Sequence, residues 1–249
     1  MRIFAFSRHN LYLFNKHNMR GIDPNKVKII HDRVLLKLPT PTNGKITFKS
    51  GQSIYLDTSS EPARHVNVHA EVVKVCEKFS FRKGKPSNYD YQPQIEIVPG
   101  DEVIVDYFQI LNHMGDLVHK HIESPKDMYI EWEGEYYVFV DYYELYAKRV
   151  KDVLVPLNGY VIYEGEYNER SWGERSTKVL SERRGKVKYV GKPNVAYADD
   201  RDIDAEGLKP GEKFWFTNKM YRKLEYDLHS KEGDLYVAQL RYCTVHEPI

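Results

Sequence analysis

The sequence predicts an all-β fold laid out as two tandem units of short strands, and three observations carry that prediction. Tyrosine occurs 20 times in 249 residues, alongside many Val and Ile, and branched and aromatic side chains suit the pleated, half-buried surface of a sheet. Apolar runs are short, alternate with polar residues and are bounded by Gly, Pro, Asn and Ser. The same order of blocks occurs twice, offset by roughly 100 to 120 residues, which is a domain spacing and not a solenoid period. Apolar residues make up 41% of the chain and aromatics 13%, enough to fill a core. With 37 basic against 36 acidic side chains there is no broad basic field, so nucleic acid is not a favoured partner.

Residues 1–26 mix aromatic and basic side chains, as in Tyr12-Leu13-Phe14-Asn15-Lys16, and stop at the turn signal Gly21-Ile22-Asp23-Pro24. An added strand on the first unit is the preferred reading, with a docking arm as the alternative. Alternation from Val27 to Leu38 then predicts a strand with a bulge near Asp32. Pro39-Thr40-Pro41-Thr42-Asn43-Gly44 breaks it, and a largely polar stretch follows, Lys45 to Asn67, with one apolar triplet, Ile54-Tyr55-Leu56, in its middle. This triplet is either a short strand tucked against the unit or a hydrophobic plug on a mobile loop. Val68–Val75 alternates as the next strand, and Phe79–Gln94 forms a polar connection. The run Ile95 to Val105 holds the turn Pro99-Gly100-Asp101 between two β stretches. Tyr136–Val140 and Glu144–Ala147 end the first unit.

The order then repeats. Val153–Leu157, extended by Tyr160–Tyr163, corresponds to the opening strand, and the excursion from Glu164 to Arg184 corresponds to the loop, with Trp172, Val179 and Leu180 as its apolar anchors. Gly185–Gly191 corresponds to the strand leaving the loop, Pro210-Gly211-Glu212 repeats the turn, and Tyr236–Leu240 with Tyr242–His246 repeats the ending. The chain thus divides into an N-terminal extension (1–26), a first unit (27–149) and a second (150–249).

The block Ile30-His31-Asp32-Arg33-Val34-Leu35-Leu36-Lys37 resembles the opening strand of the GroES-type co-chaperonins. The Pro-Gly-acid turns and the Gly185-Lys186-Val187 strand are similar to later motifs of that family. The resemblance implies two tandem GroES-like small β-barrels with long loop insertions, and a protein that caps a chaperonin ring and assists folding. It implies self-association into a ring, a GroEL-type chaperonin as partner, and docking through Ile54, Tyr55 and Leu56, with Val179 and Leu180 at the second loop. It also implies no cofactor and no catalysis, the partner hydrolysing the ATP. The insertions fit a diverged, phage-encoded member acting in a host cytoplasm. A structural or assembly protein, such as a virion component, that reuses the barrel is the alternative, and a generic small-barrel binding module is a third.

Other chemistry finds little support in the residues. Cys76 and Cys243 stand far apart and in no metal-ligand spacing, so neither a disulfide framework nor a zinc ribbon is expected and a reducing cytoplasm is. The segment Met1–Arg8 turns polar too soon for a signal-peptide core, and no run reaches the length of a membrane span. His119 and His121, with His113 nearby, lack a Cys or carboxylate beside them and read as solvated loop histidines. Asp200, Asp202 and Asp204 imitate the start of a calcium loop, but Gly207 falls too late and Gly211 stands where a Glu is needed. No nucleophile elbow, phosphate loop or dinucleotide fingerprint occurs, so no enzyme is expected.

Overall fold

The computed structural model describes residues 21–30, 32–48, 50–58, 61–77, 95–118, 129–172, 175–192, 208–216, 222–225 and 234–247. In chain order the strands are β1 (Arg33–Leu38), β2 (Lys45–Thr47), β3 (Ser53–Tyr55), β4 (His69–Val75) and β5 (Glu102–Val105), then β6 (Tyr129–Trp132), β7 (Glu135–Asp141), β8 (Leu145–Val150) and β9 (Val153–Pro156). They continue with β10 (Tyr160–Trp172), β11 (Arg175–Val190), β12 (Lys213–Phe216), β13 (Arg222–Lys223), β14 (Leu235–Gln239) and β15 (Cys243–Glu247). A single α-helix among the described residues, α1 (Tyr107–Val118), lies between β5 and β6. The protein is therefore mostly β. No helix among the described residues is long and apolar enough to cross a membrane.

Two antiparallel sheets organise the molecule, in the orders β6-β7-β1-β4-β5-β8-β9 and β13-β14-β10-β11-β12-β15. The second order is the first with β13 for β6, β14 for β7, β10 for β1, β11 for β4, β12 for β5 and β15 for β8. The correspondence extends to single hydrogen bonds. Gly100 N–H donates to the Val72 carbonyl and Gly211 N–H to the Val187 carbonyl, both at 2.8 Å. The two glycines sit at φ 94° and 95°, the left-handed region in which a side chain is strained. Each turn is locked by its acid: Val98 N–H donates to Asp101 Oδ2 (3.0 Å) and Lys209 N–H to Glu212 Oε2 (2.9 Å). At the far end, Tyr142 N–H donates to the Asp32 carbonyl (2.7 Å) and Leu240 N–H to the Gly159 carbonyl (2.8 Å), each residue opening a one-turn 3-10 helix, the first before β8 and the second before β15.

Barrels are predicted from the resemblance, but neither sheet closes on itself, and the reason lies in how side chains alternate along the second sheet. Tyr160 and Ile162 of β10 and Leu235 and Val237 of β14 point into the core beneath the first sheet, together with Leu224, Val34, Leu36, Val138 and Val140. The intervening residues, Val161, Tyr163, Tyr236 and Ala238, point the other way, into a second core with Val187, Phe214 and Phe216. The first sheet is thus covered by the second instead of curling onto itself. Strand β1 is buried on both faces, since Leu35 joins a third cluster with Ile130, Tyr137 and Phe139. That is why Val34-Leu35-Leu36 breaks the alternation expected of a half-exposed strand.

The junction between the sheets is a tight turn, Leu157-Asn158-Gly159-Tyr160, closed by Tyr160 N–H donating to the Leu157 carbonyl (2.9 Å). Asn158 and Gly159 both have positive φ, 53° and 69°, the Asn-Gly signature of a primed turn. Asn158 is buried, and its side-chain amide donates to the carbonyls of Tyr142 (2.9 Å) and Leu145 (3.0 Å). Its backbone N–H donates to Glu96 Oε2 (3.0 Å).

Several sequence expectations are corrected. The opening strand begins at Arg33, not Val27, and its irregularity lies between Leu35 and Leu36. Residues 95–98 are outside any strand, pinned by side chains: Glu96 N–H meets the Tyr142 hydroxyl (2.7 Å), and Lys148 Nζ donates to the Glu96 carbonyl (2.7 Å). Val153–Pro156 does not open the second sheet but pairs with β8 on the first. The excursion from Glu164 to Arg184 is, over its described residues, the outer part of β10 and β11, paired from Tyr167–Leu180 to Trp172–Arg175 beyond a register shift at Gly165–Tyr167, with Glu169 set opposite Lys178. Helix α1 was not expected. Asp106 caps it by accepting from Phe108 N–H (2.7 Å), and the spacing of Tyr107, Ile110, Leu111 and Met114 sets one face against the core. His113 consequently is buried on α1, at 1% exposure, and is not a solvated loop residue. Of the extension 1–26, in which an added strand is predicted, residues 21–26 hold no strand but a 3-10 turn over Pro24–Lys26; residues 1–20, the Phe79–Gln94 connection, His119, His121, Asp200, Asp202 and Asp204 lie outside the described residues.

Candidate functional site: two hairpins at equivalent positions

The connection between the first two core strands carries a hairpin in each sheet: β2–β3 between β1 and β4, and the outer part of β10–β11 in the second. In the first, Thr42 bridges Val66, and Asn43 N–H donates to the His65 carbonyl (2.7 Å). Buried Asn67 clasps the two sides of this base. Its amide donates to the Thr40 carbonyl (3.1 Å), its Oδ1 accepts from His69 N–H (3.1 Å), and its backbone N–H donates to the Pro41 carbonyl (3.0 Å). Helix α1 packs beside the adjoining Pro62–His65 turn. Beyond that base β2 and β3 pair only with each other.

Pairing sets the faces of this hairpin. Ile46 lies opposite Ile54, whereas Lys45 lies opposite Tyr55 and Thr47 opposite Ser53. Because side chains alternate along a strand, Ile46, Phe48, Ile54 and Leu56 share one face. Lys45, Thr47, Ser53 and Tyr55 share the other, where the Thr47 and Ser53 hydroxyls bond at 3.0 Å and Lys45 Nζ stands 5.8 Å from the Tyr55 ring centre. The turn is closed by Gly51 N–H donating to the Phe48 carbonyl (2.9 Å), with Gly51 at φ 83°. Phe48 is 47% exposed, Ile54 52% and Tyr55 78%, while Ile46 and Leu56 are half-buried. The predicted triplet therefore does not act as one plug: Ile54 and Leu56 point one way and Tyr55 the other. Ile46 and Phe48 complete the apolar face and were missed in the sequence, although the alternation Lys45-Ile46-Thr47-Phe48 was there to be read.

In the second sheet, Tyr167 pairs with Leu180, Asn168 with Val179 and Trp172 with Arg175. Val179 and Leu180 thus face opposite sides of the ribbon. Leu180 packs against the second core at the ribbon's root, and Val179 is half-buried. Tyr167, 46% exposed, donates its hydroxyl to Asp234, and that bond raises its pKa. The ribbon is otherwise laced with charge: Arg184 pairs with Glu166 (3.3 Å), as does Lys213 (3.8 Å). A shallow, open cleft of about 480 Å³ lies along it, lined by Val179, Leu180, Arg183, Arg184 and Trp215. The second hairpin thus presents a mixed, charged surface where the first presents an apolar one.

Two polar clusters lie between the sheets. His69 on β4 stands between Glu102, 3.4 Å from its Nδ1, and Glu225, which contacts Nε2, while Arg149 pairs with Glu102 (3.2 Å). Glu225 is 3% exposed, and its contact with His69 ties the segment after β13 to the first sheet. Asp106 accepts the Tyr146 hydroxyl (2.6 Å) and pairs with Arg222 (3.7 Å). Burial and the adjacent Asp106 carboxylate push the Tyr146 hydroxyl far above its ordinary range, so it acts as a hydrogen-bond donor. Among the described residues no three His, Cys, Asp or Glu side chains group to hold a metal ion. No family model matches the chain, and no curated protein matches it.

Proposed function

We propose that this chain is a co-chaperonin-like lid that docks on a chaperonin ring through the β2–β3 hairpin and closes its chamber, acting in the cytoplasm without cofactor or catalysis of its own. The observation that supports this reading best is the apolar face of Ile46, Phe48, Ile54 and Leu56, carried on a hairpin that pairs with neither sheet and is clasped at its base. An exposed apolar surface on a projecting element marks an interaction site. A single hairpin binds weakly: full burial of a large apolar side chain gains about 1.5–3 kcal/mol, and part of each of these is already covered. Several hairpins on one ring act at a high effective concentration, and that combination holds in one nucleotide state of the partner and releases in another.

A second reading, an assembly protein that packs through the same hairpin without a chaperonin, draws on a different observation. The hairpin's hydrogen bonds are already formed in the isolated chain, whereas a segment that orders only on a chaperonin would bear about 1–2 kcal/mol per residue on binding. Co-sedimentation with a GroEL-type chaperonin, with ATP, with ADP and without nucleotide, separates the two. The lid reading expects nucleotide-dependent co-sedimentation that Ile54→Ser abolishes. Absence of binding in every nucleotide state, with the chain folded, overturns it and leaves the assembly reading.

A further inference from the structure

The outermost strand of the second sheet, β13, is pinned to the first unit at both ends. Arg222 pairs with Asp106, just after β5 (3.7 Å), and its guanidinium lies over the Phe108 ring, 5.0 Å from the ring centre. At the other end Glu225 reaches back to His69 on β4. Between the two, Leu224 is buried in the core beneath the first sheet and donates its N–H to the Leu235 carbonyl of β14 (2.9 Å).

The two pins differ in chemistry. A guanidinium keeps its charge throughout the physiological range, whereas histidine is the side chain that gains and loses a proton between about pH 5 and 8. Both ring nitrogens of His69 face carboxylate oxygens: Glu102 Oε1 stands 3.4 Å from Nδ1, and Glu225 Oε1 contacts Nε2. A neutral imidazole carries one N–H and presents a lone pair at its other nitrogen, so it can answer only one carboxylate; the imidazolium donates to both. The remaining charged groups around the ring are Arg149 of β8, paired with Glu102 (3.2 Å), and Glu71, on the same face of β4 and opposite Glu102. When the ring is neutral, Glu102 still has Arg149. For Glu225, 3% exposed, the neutral ring removes a positive charge that offsets its burial.

We infer that His69 and Glu225 form a proton-operated clasp: the protonated ring holds the end of β13 on the first sheet, and with the ring neutral that end opens and uncovers Leu224. A charged histidine and a charged glutamate coexist between their ordinary titration ranges, about pH 4.3 and about pH 6.5, so the clasp is tightest near about pH 5.5 and slackens as the pH rises. Neither docking reading is needed for this device.

The test uses the whole chain and no chaperonin. Amide exchange is followed at about pH 5.5 and about pH 8, each rate being divided by the intrinsic rate at that pH, and nitrogen NMR of the imidazole reads the protonation of His69. The expected result is an imidazolium at the lower pH and, at the higher, a loss of about tenfold in protection at the Leu224 and Glu225 amides, the effect of one lost hydrogen bond to a charged group. The amides of β10 should keep their protection. Glu225→Gln preserves the shape without the charge and should abolish the pH dependence. His246→Gln removes a second His–Glu contact of this sheet, 3.1 Å to Glu212, and should leave the dependence in place. A neutral His69 ring at the lower pH, Leu224 protection that does not change with pH, or a dependence that survives Glu225→Gln overturns the inference.

Discussion

Asn158 offers the sharpest test of how the two sheets are joined. Replacing it with Gly keeps the left-handed turn but removes the amide that donates to the carbonyls of Tyr142 and Leu145 at 2.9 and 3.0 Å. Each lost bond costs about 0.5–1.5 kcal/mol, so Asn158→Gly should lose about 1–3 kcal/mol. Asn158→Ala loses the same bonds and adds the strain of a Cβ at φ 53°, about 1–2 kcal/mol more. The backbone bond to Glu96 survives in both variants and does not enter the difference. For a chain of this size 1 kcal/mol corresponds to about 2–4 °C. Calorimetry should therefore rank wild type above Asn158→Gly by at least about 2 °C, and Asn158→Gly above Asn158→Ala by a similar margin. A Gly variant melting within one degree of wild type refutes the role of the amide; an Ala variant as stable as the Gly variant refutes the role of the backbone.

Further predictions concern the hairpins and the second core. If the apolar face of β2–β3 docks, Phe48→Ser and Ile54→Ser should each weaken chaperonin binding by about fivefold per engaged hairpin, since about half of a burial gain of 1.5–3 kcal/mol remains to be made. Tyr55→Ser, on the opposite face, should weaken it less, and thermal unfolding of all three should stay within about 0.5 kcal/mol of wild type. Gly165 and Gly185 face each other at the root of the ribbon. A methyl on Gly185 meets the Tyr163 ring at 2.2 Å and the Glu164 carbonyl at 2.9 Å, whereas on Gly165 it meets the movable tip of Leu180 at 2.3 Å. Gly185→Ala should thus cost about 1–3 kcal/mol in denaturant titration, and Gly165→Ala less. Burial pushes the Cys243 thiol from 9.0 up to about 12. The unfolded chain releases this proton first, so stability is fully present below about pH 9 and is lost as pH rises toward about 12, a fall that Cys243→Ser should reduce. At pH 8 the native thiol should react with a disulfide reagent far more slowly than the denatured one.

The composition and short alternating runs made the β character legible, and the Pro-Gly-acid turns marked the start of β5 and β12 because only a glycine tolerates that backbone. What the sequence hid is set by contacts between distant segments. Residues 95–98 look like a strand by pattern, but side chains of Tyr142, Lys148 and Asp101 hold them instead of a ladder. Val153–Pro156 looks like the start of a unit, yet its turn folds it back on β8. Helix α1 was missed because its cap, Asp106, directly follows a run of strand residues, and the change from a two-residue to a three-to-four-residue spacing is only a few side chains long. At the candidate site the triplet 54–56 was legible as apolar, while the choice between a tucked strand and an exposed plug stayed open; Ile54 and Tyr55 are exposed and Leu56 is half-buried. Its division between two faces follows from alternation once the triplet is a strand, but that Ile46 and Phe48 share the face of Ile54 depends on the pairing of β2 with β3.

The core beneath the first sheet has a consequence for how the chain is made. Leu224, Leu235 and Val237 fill that core alongside Val34 and Leu36, so an early segment and a late one must meet before either is sheltered from water. While the ribosome is still extending the chain, β1, β4 and β7 can pair, but one side of them stays wet until β14 emerges. The nascent chain spends most of its synthesis with a greasy sheet uncovered, and a fragment stopped near residue 150 should be insoluble even though it contains nearly every strand of its own sheet.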